Sequence, residues 1–205
     1  MPELCLLMNL GLYFFREVTR EVTETVSMKY SFLSVLFFGL LVVLVAPVSA
    51  QTPIPPGASY EVGFSPGGTS LRVVEKFINE AHRELLMAVY ELTSYPIAKA
   101  LIQAEQRGVR VEIVADAKAA RQHFSKVRFL AHHGIPVRVN DRYAILHHKF
   151  MVADGKSLET GSFNYSEAAV KHNAENALVL WNIPSLANRY RTEWLRLWNE
   201  AHPVR

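Results

Sequence analysis

The sequence predicts an α/β sandwich, a β-sheet held between helices. Two observations carry that prediction. From Tyr60 onward, short apolar runs of strand character alternate with segments of helical period. After Asn140 the spacing tightens into two short strands around Asp154-Gly155, a dipeptide favoured in tight hairpins.

The elements follow in order. Strands are expected over Tyr60 to Phe64, Leu85 to Tyr90, Val109 to Ala115 and Pro136 to Val139. Helices join them: Ser70 to Ala81 with Thr69 as N-cap, Tyr95 to Arg107 with Ser94 as N-cap and Gly108 as stop, and Ser125 to His133 stopped by Gly134. Lys149 to Ala153 and Ser157 to Gly161 form the hairpin, Asn176 to Trp181 adds a strand, and a helix from about Ser185 to Glu200 closes the chain. Leu186, Tyr190, Trp194, Leu197 and Trp198 recur along that helix at the spacing of a core-facing stripe.

The region before Tyr60 reads differently. Phe32 to Ala46 carries no charge, follows Met28-Lys29-Tyr30 and leads to Pro47-Val48-Ser49-Ala50, the layout of a secretory signal with a cut at Ala50-Gln51. The run is shorter than the roughly 20 apolar residues a spanning helix needs, so residues 28–50 are read as a cleaved signal peptide rather than an anchor. Residues 1–27 then lie upstream of a start at Met28, or form a short amphipathic helix. Export to the periplasm or medium is the expected destination, and membrane association is expected only if residues 28–46 stay attached. Gln51 to Ser59, with Pro53, Pro55, Pro56 and Gly57, is a flexible leader, and residues 60–205 are the folded domain.

Cys5 is the only cysteine and precedes the proposed cut, so the mature chain has no disulfide and no thiolate metal site. His82, His123, His132, His133, His172 and His202 lack metal-ligand spacing. From Gln51 onward 19 Lys and Arg stand against 15 Asp and Glu, a net charge of +4 that mildly favours an anionic partner. Asp116, Lys118 and Arg121, just beyond the third strand, either line a substrate groove or are solvated loop charges.

The chemistry concentrates in His147-His148-Lys149-Phe150-Met151-Val152-Ala153-Asp154, then Gly161-Ser162-Phe163-Asn164, then Glu175-Asn176. In an extended chain the period of two puts His147 and Lys149 on one face and His148 on the other. A two-residue turn at Asp154-Gly155 sets His147 opposite Ser162, and one at Gly155-Lys156 sets it opposite Asn164. Either register brings Ser162 and Asn164 to the His147–Lys149 face, whereas a three-residue loop reverses the parity. An imidazole, an ammonium, a hydroxyl and an amide together suit a tetrahedral phosphate.

His-x-Lys-x4-Asp with Gly-Ser-x-Asn downstream resembles the motif of the phospholipase D superfamily, and within it the small, single-motif, EDTA-resistant bacterial endonucleases. The likeness runs from Val62-Gly63-Phe64-Ser65-Pro66 through Gly108-Val109 and Gly134-Ile135-Pro136 to Glu175-Asn176-Ala177 and Trp181-Asn182. It implies a mixed sheet sandwiched between helices, with one half of a two-motif site per chain. It also implies catalytic roles for His147, Lys149, Asp154 and Glu175, with Lys149, Ser162 and Asn164 on the phosphate. Asp154 looks more like a support for its loop, and Glu175 is implied to orient His147.

Because this chain holds one motif, the resemblance implies a homodimer with a shared site. One His147 attacks phosphorus, the other protects the leaving oxygen, and a bell-shaped pH dependence follows. Neither metal nor cofactor is implied. Nucleic acid is the expected substrate; a phospholipase, including a membrane-tethered cardiolipin hydrolase, and an inactive phosphate-gripping module are the alternatives.

Overall fold

A computed structural model describes residues 16, 17, 19–21 and 51–204. The chain divides into two units, residues 1–52 and residues 53–205. Residues 16, 17 and 19–21 are helical. Residues 28–50, where a signal peptide is expected, and Cys5 lie outside the described residues.

The second unit is built on one sheet of eight strands. These are β1 (Ser59–Ser65), β2 (Glu84–Val89), β3 (Arg110–Asp116), β4 (Val137–Asn140), β5 (Lys149–Ala153), β6 (Ser157–Gly161), β7 (Glu175–Trp181) and β8 (His202–Pro203), in the order β1-β7-β6-β5-β2-β3-β4-β8. β2, β3 and β4 run parallel, and the remaining pairings are antiparallel. The helices are α1 (Thr69–Asn79), α2 (Tyr95–Gln106), α3 (Ala117–Ala120), α4 (Val127–His132), α5 (Glu167–Lys171) and α6 (Pro184–Glu200).

The apolar run Leu85 to Val89 is buried on both sides because β2 is central and helices cover both faces. Leu85, Met87 and Val89 join Val74, Phe77 and Ile78 of α1 and Ile97 and Leu101 of α2 in one core. Leu86, Ala88, Phe150 and Val152 point the other way, against Ala187, Trp194 and Leu197 of α6. The aromatic stripe of α6 is therefore core, as its period requires, and Trp194 Nε1 donates to the Met87 carbonyl at 2.9 Å. Burial of this kind contributes roughly 25 cal/mol per Å² of apolar surface, which is why the sheet's alternation and the helix period decide the layering.

Predicted and observed elements agree to within one or two residues, with three exceptions of detail. Thr69 is not the N-cap of α1: Gly68 holds that place, and Thr69 Oγ1 is spent on Phe64, accepting from its N–H at 2.7 Å and donating to its carbonyl at 2.6 Å. Ser94 does cap α2 by position, yet its hydroxyl makes no capping bond. The short elements α3, α5 and β8 give too few residues for a period to show in the sequence.

The hairpin departs from both predicted registers. Phe150 faces Thr160, Met151 faces Glu159 and Ala153 faces Ser157, leaving a three-residue loop, Asp154-Gly155-Lys156. Asp154 (φ 56°) and Gly155 (φ 66°) are both left-handed, the turn expected of Asp-Gly, and Lys156 N–H returns to the Ala153 carbonyl at 3.0 Å. Lys156 is the extra residue, and it reverses the parity of everything downstream. Phe163, rather than Ser162 or Asn164, follows the face of Lys149 and Met151 into the first core.

Candidate active site

His147 and Lys149 sit where β5 begins, beside the end of β2. The intervening His148 carbonyl accepts from Tyr90 N–H at 3.0 Å, which continues the β2–β5 ladder and fixes the two side chains on one face. The Tyr90 ring lies between them, its centroid 4.9 Å from that of His147 and 5.3 Å from Lys149 Nζ. His148 points to the opposite face as the alternation requires, and its Nε2 lies 3.3 Å from Glu193 of α6.

The loop entering β5 is held at several points. Asp116, which is almost fully buried, accepts from the N–H groups of Lys118 and Ala119 at 2.9 and 2.8 Å as the cap of α3, and its second oxygen accepts from Leu146 N–H at 2.9 Å. Lys118 Nζ donates to the Ala144 carbonyl at 3.3 Å. These two residues shape the approach to His147 rather than line a groove. Arg121 lines a separate hollow with Arg128 and His202.

Lys149 is 9 % exposed. Its ammonium donates to the His147 carbonyl at 2.8 Å, and burial pushes its pKa below the ordinary lysine value while Glu175 and Glu91 hold it up. A desolvated ammonium with a nearby carboxylate remains a donor aimed at incoming anions.

Ser162 reaches the site by a route that hairpin parity does not provide. The chain leaves the β5–β6 ladder at Gly161, where it passes so close to β7 that a Cβ would stand 2.2 Å from the Asn176 carbonyl oxygen. Only glycine permits that approach. Phe163 N–H then bonds the same carbonyl at 3.1 Å, and Ser162 Oγ donates to Glu175 Oε2 at 2.6 Å while accepting from Asn176 N–H at 3.1 Å. Glu175 thus engages Ser162 and, through Oε1, Asn173 Nδ2 at 3.0 Å, in place of the His147 ring. The side-chain oxygen of Asn164 is buried without a hydrogen-bond partner.

Asp154 stands apart from the other residues of the expected catalytic set, in the loop-supporting place its position suggested. It lies at the far end of β5 from His147, and its carboxylate accepts from the backbone N–H groups of His82, Arg83 and Glu84, the closest at 2.7 Å. It ties the hairpin to the start of β2 and touches nothing in the site. Tyr90 and Glu91 were not singled out from the sequence, because a tyrosine ending an apolar strand reads as core.

His147, Lys149 and Ser162 border a cleft of about 510 Å³ whose other wall is α6, with Arg189, Tyr190 and Glu193. No group of three or more His, Cys, Asp or Glu residues is placed to hold a metal ion among the described residues.

A family model described as cardiolipin synthase, PLD-like domain, matches residues 74–198. The crystal structure of Nuc from Salmonella typhimurium, a phospholipase D family member, superimposes with a TM-score of 0.70 at 37% identity, over 72% of this chain and 99% of that one. The chain belongs to the phospholipase D superfamily.

Members of that superfamily are phosphodiesterases and other hydrolases. A phospholipase D of Rickettsia conorii is 35% identical over 132 residues, 64% of this chain and 66% of that protein. The mitochondrial cardiolipin hydrolase of Canis lupus familiaris is 30% identical over 155 residues, 76% of this chain and 61% of that protein. The chain thus spans about two thirds of the length of these curated relatives. The phospholipase D fold, a mixed sheet between helices, agrees with the architecture expected from the sequence.

Proposed function

We propose that the chain is a phosphodiesterase that cleaves DNA or RNA through a covalent phosphohistidine at His147, in a homodimer whose copies share one site. The observation that carries this reading is the convergence of His147 and Lys149 on Tyr90 at the mouth of a cleft bordered by Ser162. In the proposed reaction His147 attacks phosphorus, forming a P–N bond as the P–O bond to the leaving group breaks. The second copy's His147 gives that oxygen its proton. Water then attacks the phosphohistidine, losing its proton to the second imidazole and releasing a phosphate monoester and free His147. Lys149, Ser162 and Asn164 stabilise the charge on the phosphate oxygens, and Glu175 holds Ser162 in place.

The dimer has its own support. Tyr60, Val62 and Phe64 of β1 are 71%, 46% and 59% exposed, on the face opposite α1 and beyond the reach of α6, which packs across β2 to β6. This apolar strip ends beside the site, since Phe64 pairs with Asn176 and Ser65 with Glu175. A second copy seated there by two-fold symmetry brings the two sites toward one axis. Nucleic acid is favoured by the likeness to Nuc over nearly its whole length. The second reading, a phospholipid hydrolase, is favoured by the names of the rickettsial and mitochondrial relatives. Export through residues 28–50 is part of the proposal, and N-terminal sequencing of the secreted chain tests it.

The deciding experiment incubates the protein and His147→Ala with labelled single-stranded DNA, duplex DNA, RNA and cardiolipin vesicles in excess EDTA. Cleavage of nucleic acid that disappears in the variant is expected. Cleavage of lipid alone overturns the reading in favour of the second.

A further inference from the structure

A single phosphate leaves most of the cleft beside His147 unfilled. Its far wall is the N-terminal half of α6, and the charges there are distributed unevenly. Helix α6 carries three arginines. Arg191 reaches Glu84 at 3.4 Å, and Arg196 is held by Glu193 at 2.5 Å and Glu200 at 2.9 Å. Arg189 lines the cleft and makes no ion pair or hydrogen bond among the described residues. The one carboxylate in the cleft wall, Glu193, is already engaged by Arg196 and by His148. Phe150 and Tyr190, edge to face at 5.0 Å, supply an apolar floor to the cleft.

A solvated guanidinium without a carboxylate, lining the same cleft as His147 and Ser162, is a bidentate anion receptor. We propose that Arg189 forms a second phosphate subsite, which grips the neighbouring phosphate of a nucleic acid strand while the scissile phosphodiester lies on His147 and Lys149. This inference rests on the nuclease reading and deepens it. The strand is positioned along α6 by its charge, without base-specific contacts, so Arg189 contributes affinity rather than chemistry. Arg189 touches substrate only, and the reacting atoms remain with His147.

The test compares wild type, Arg189→Lys and Arg189→Glu on two substrates: a labelled single-stranded oligonucleotide, and bis(p-nitrophenyl) phosphate, a diester with no neighbouring phosphate. For Arg189→Glu the expected result is a rise of about tenfold or more in KM for the oligonucleotide, with kcat little changed. The salt dependence should weaken by about one phosphate contact. Turnover of the one-phosphate diester should be unaltered, and Arg189→Lys should recover much of the loss. An unchanged KM and salt slope, or an equal loss on both substrates, overturns the subsite. If wild type hydrolyses the simple diester but no oligonucleotide, the nuclease reading itself falls and the subsite with it. If wild type cleaves the oligonucleotide and Arg189→Glu matches it, only the subsite falls.

Discussion

Lys149 is the side chain on which the fold spends stability for chemistry. Its pKa is lowered by burial, so between the folded value and the ordinary 10.5 the native state holds fewer protons than the unfolded chain, and stability rises with pH there. The penalty falls on the charged form of the side chain. Lys149→Met should therefore melt at the same temperature as wild type or higher, while activity falls on the order of a hundredfold or more. Paired melting curves and initial rates check this. Glu159 works the other way round. It is fully buried on β6, accepts from Tyr165 Oη at 2.5 Å, and burial raises its pKa to about 8. Its stabilising protonated form is complete below the unfolded value near 4.5 and is lost as pH rises through about 8. Glu159→Gln should flatten the decline in melting temperature between those limits, and an identical pH dependence in both proteins would refute the assignment.

At the scale of elements, the site depends on how strands β5, β6 and β7 end. Gly161 is where β6 stops pairing with β5 and presses on β7, so Gly161→Ala must separate the strands and displace Ser162. A large loss of activity with a modest loss of stability is expected, read from kcat and thermal melts. Asp154, at the opposite end of β5, gives the reverse pattern. Removing its carboxylate in Asp154→Ala orphans three backbone N–H groups and places alanine in a left-handed turn, which should cost about 2–3 kcal/mol. Denaturant unfolding measures that loss, and KM of the protein that remains folded should be unchanged.

For the whole molecule, one chain supplies one His147 and one apolar strip beside it. Placing a charge in the strip by Phe64→Glu should shift the protein toward monomer on sizing chromatography with light scattering. Activity should fall in parallel and recover at higher protein concentration. A fully active monomer would refute the shared site. The same scale governs α6, which closes the second core with Trp194 and Leu197 and turns Arg189 and Glu193 toward the cleft.

The sequence by itself determined the layers, the order of the major elements and the sharing of a face by His147 and Lys149. All of these follow from periods of 3.6 and 2, which residue types display locally. Only the tertiary structure decided where the rest of the site came from. Lys156 added one residue to the hairpin and cancelled the pairing that would have carried Ser162 and Asn164 to Lys149, and Ser162 arrived instead through the close pass of Gly161 over β7. Tyr90 and Arg189 were equally out of reach, and Asp116, legible as a residue near the site, was not legible as the tie that holds the loop entering β5. Their roles depend on which distant segment each one faces, and that is set by the packing of strands and α6 rather than by any pattern along the chain.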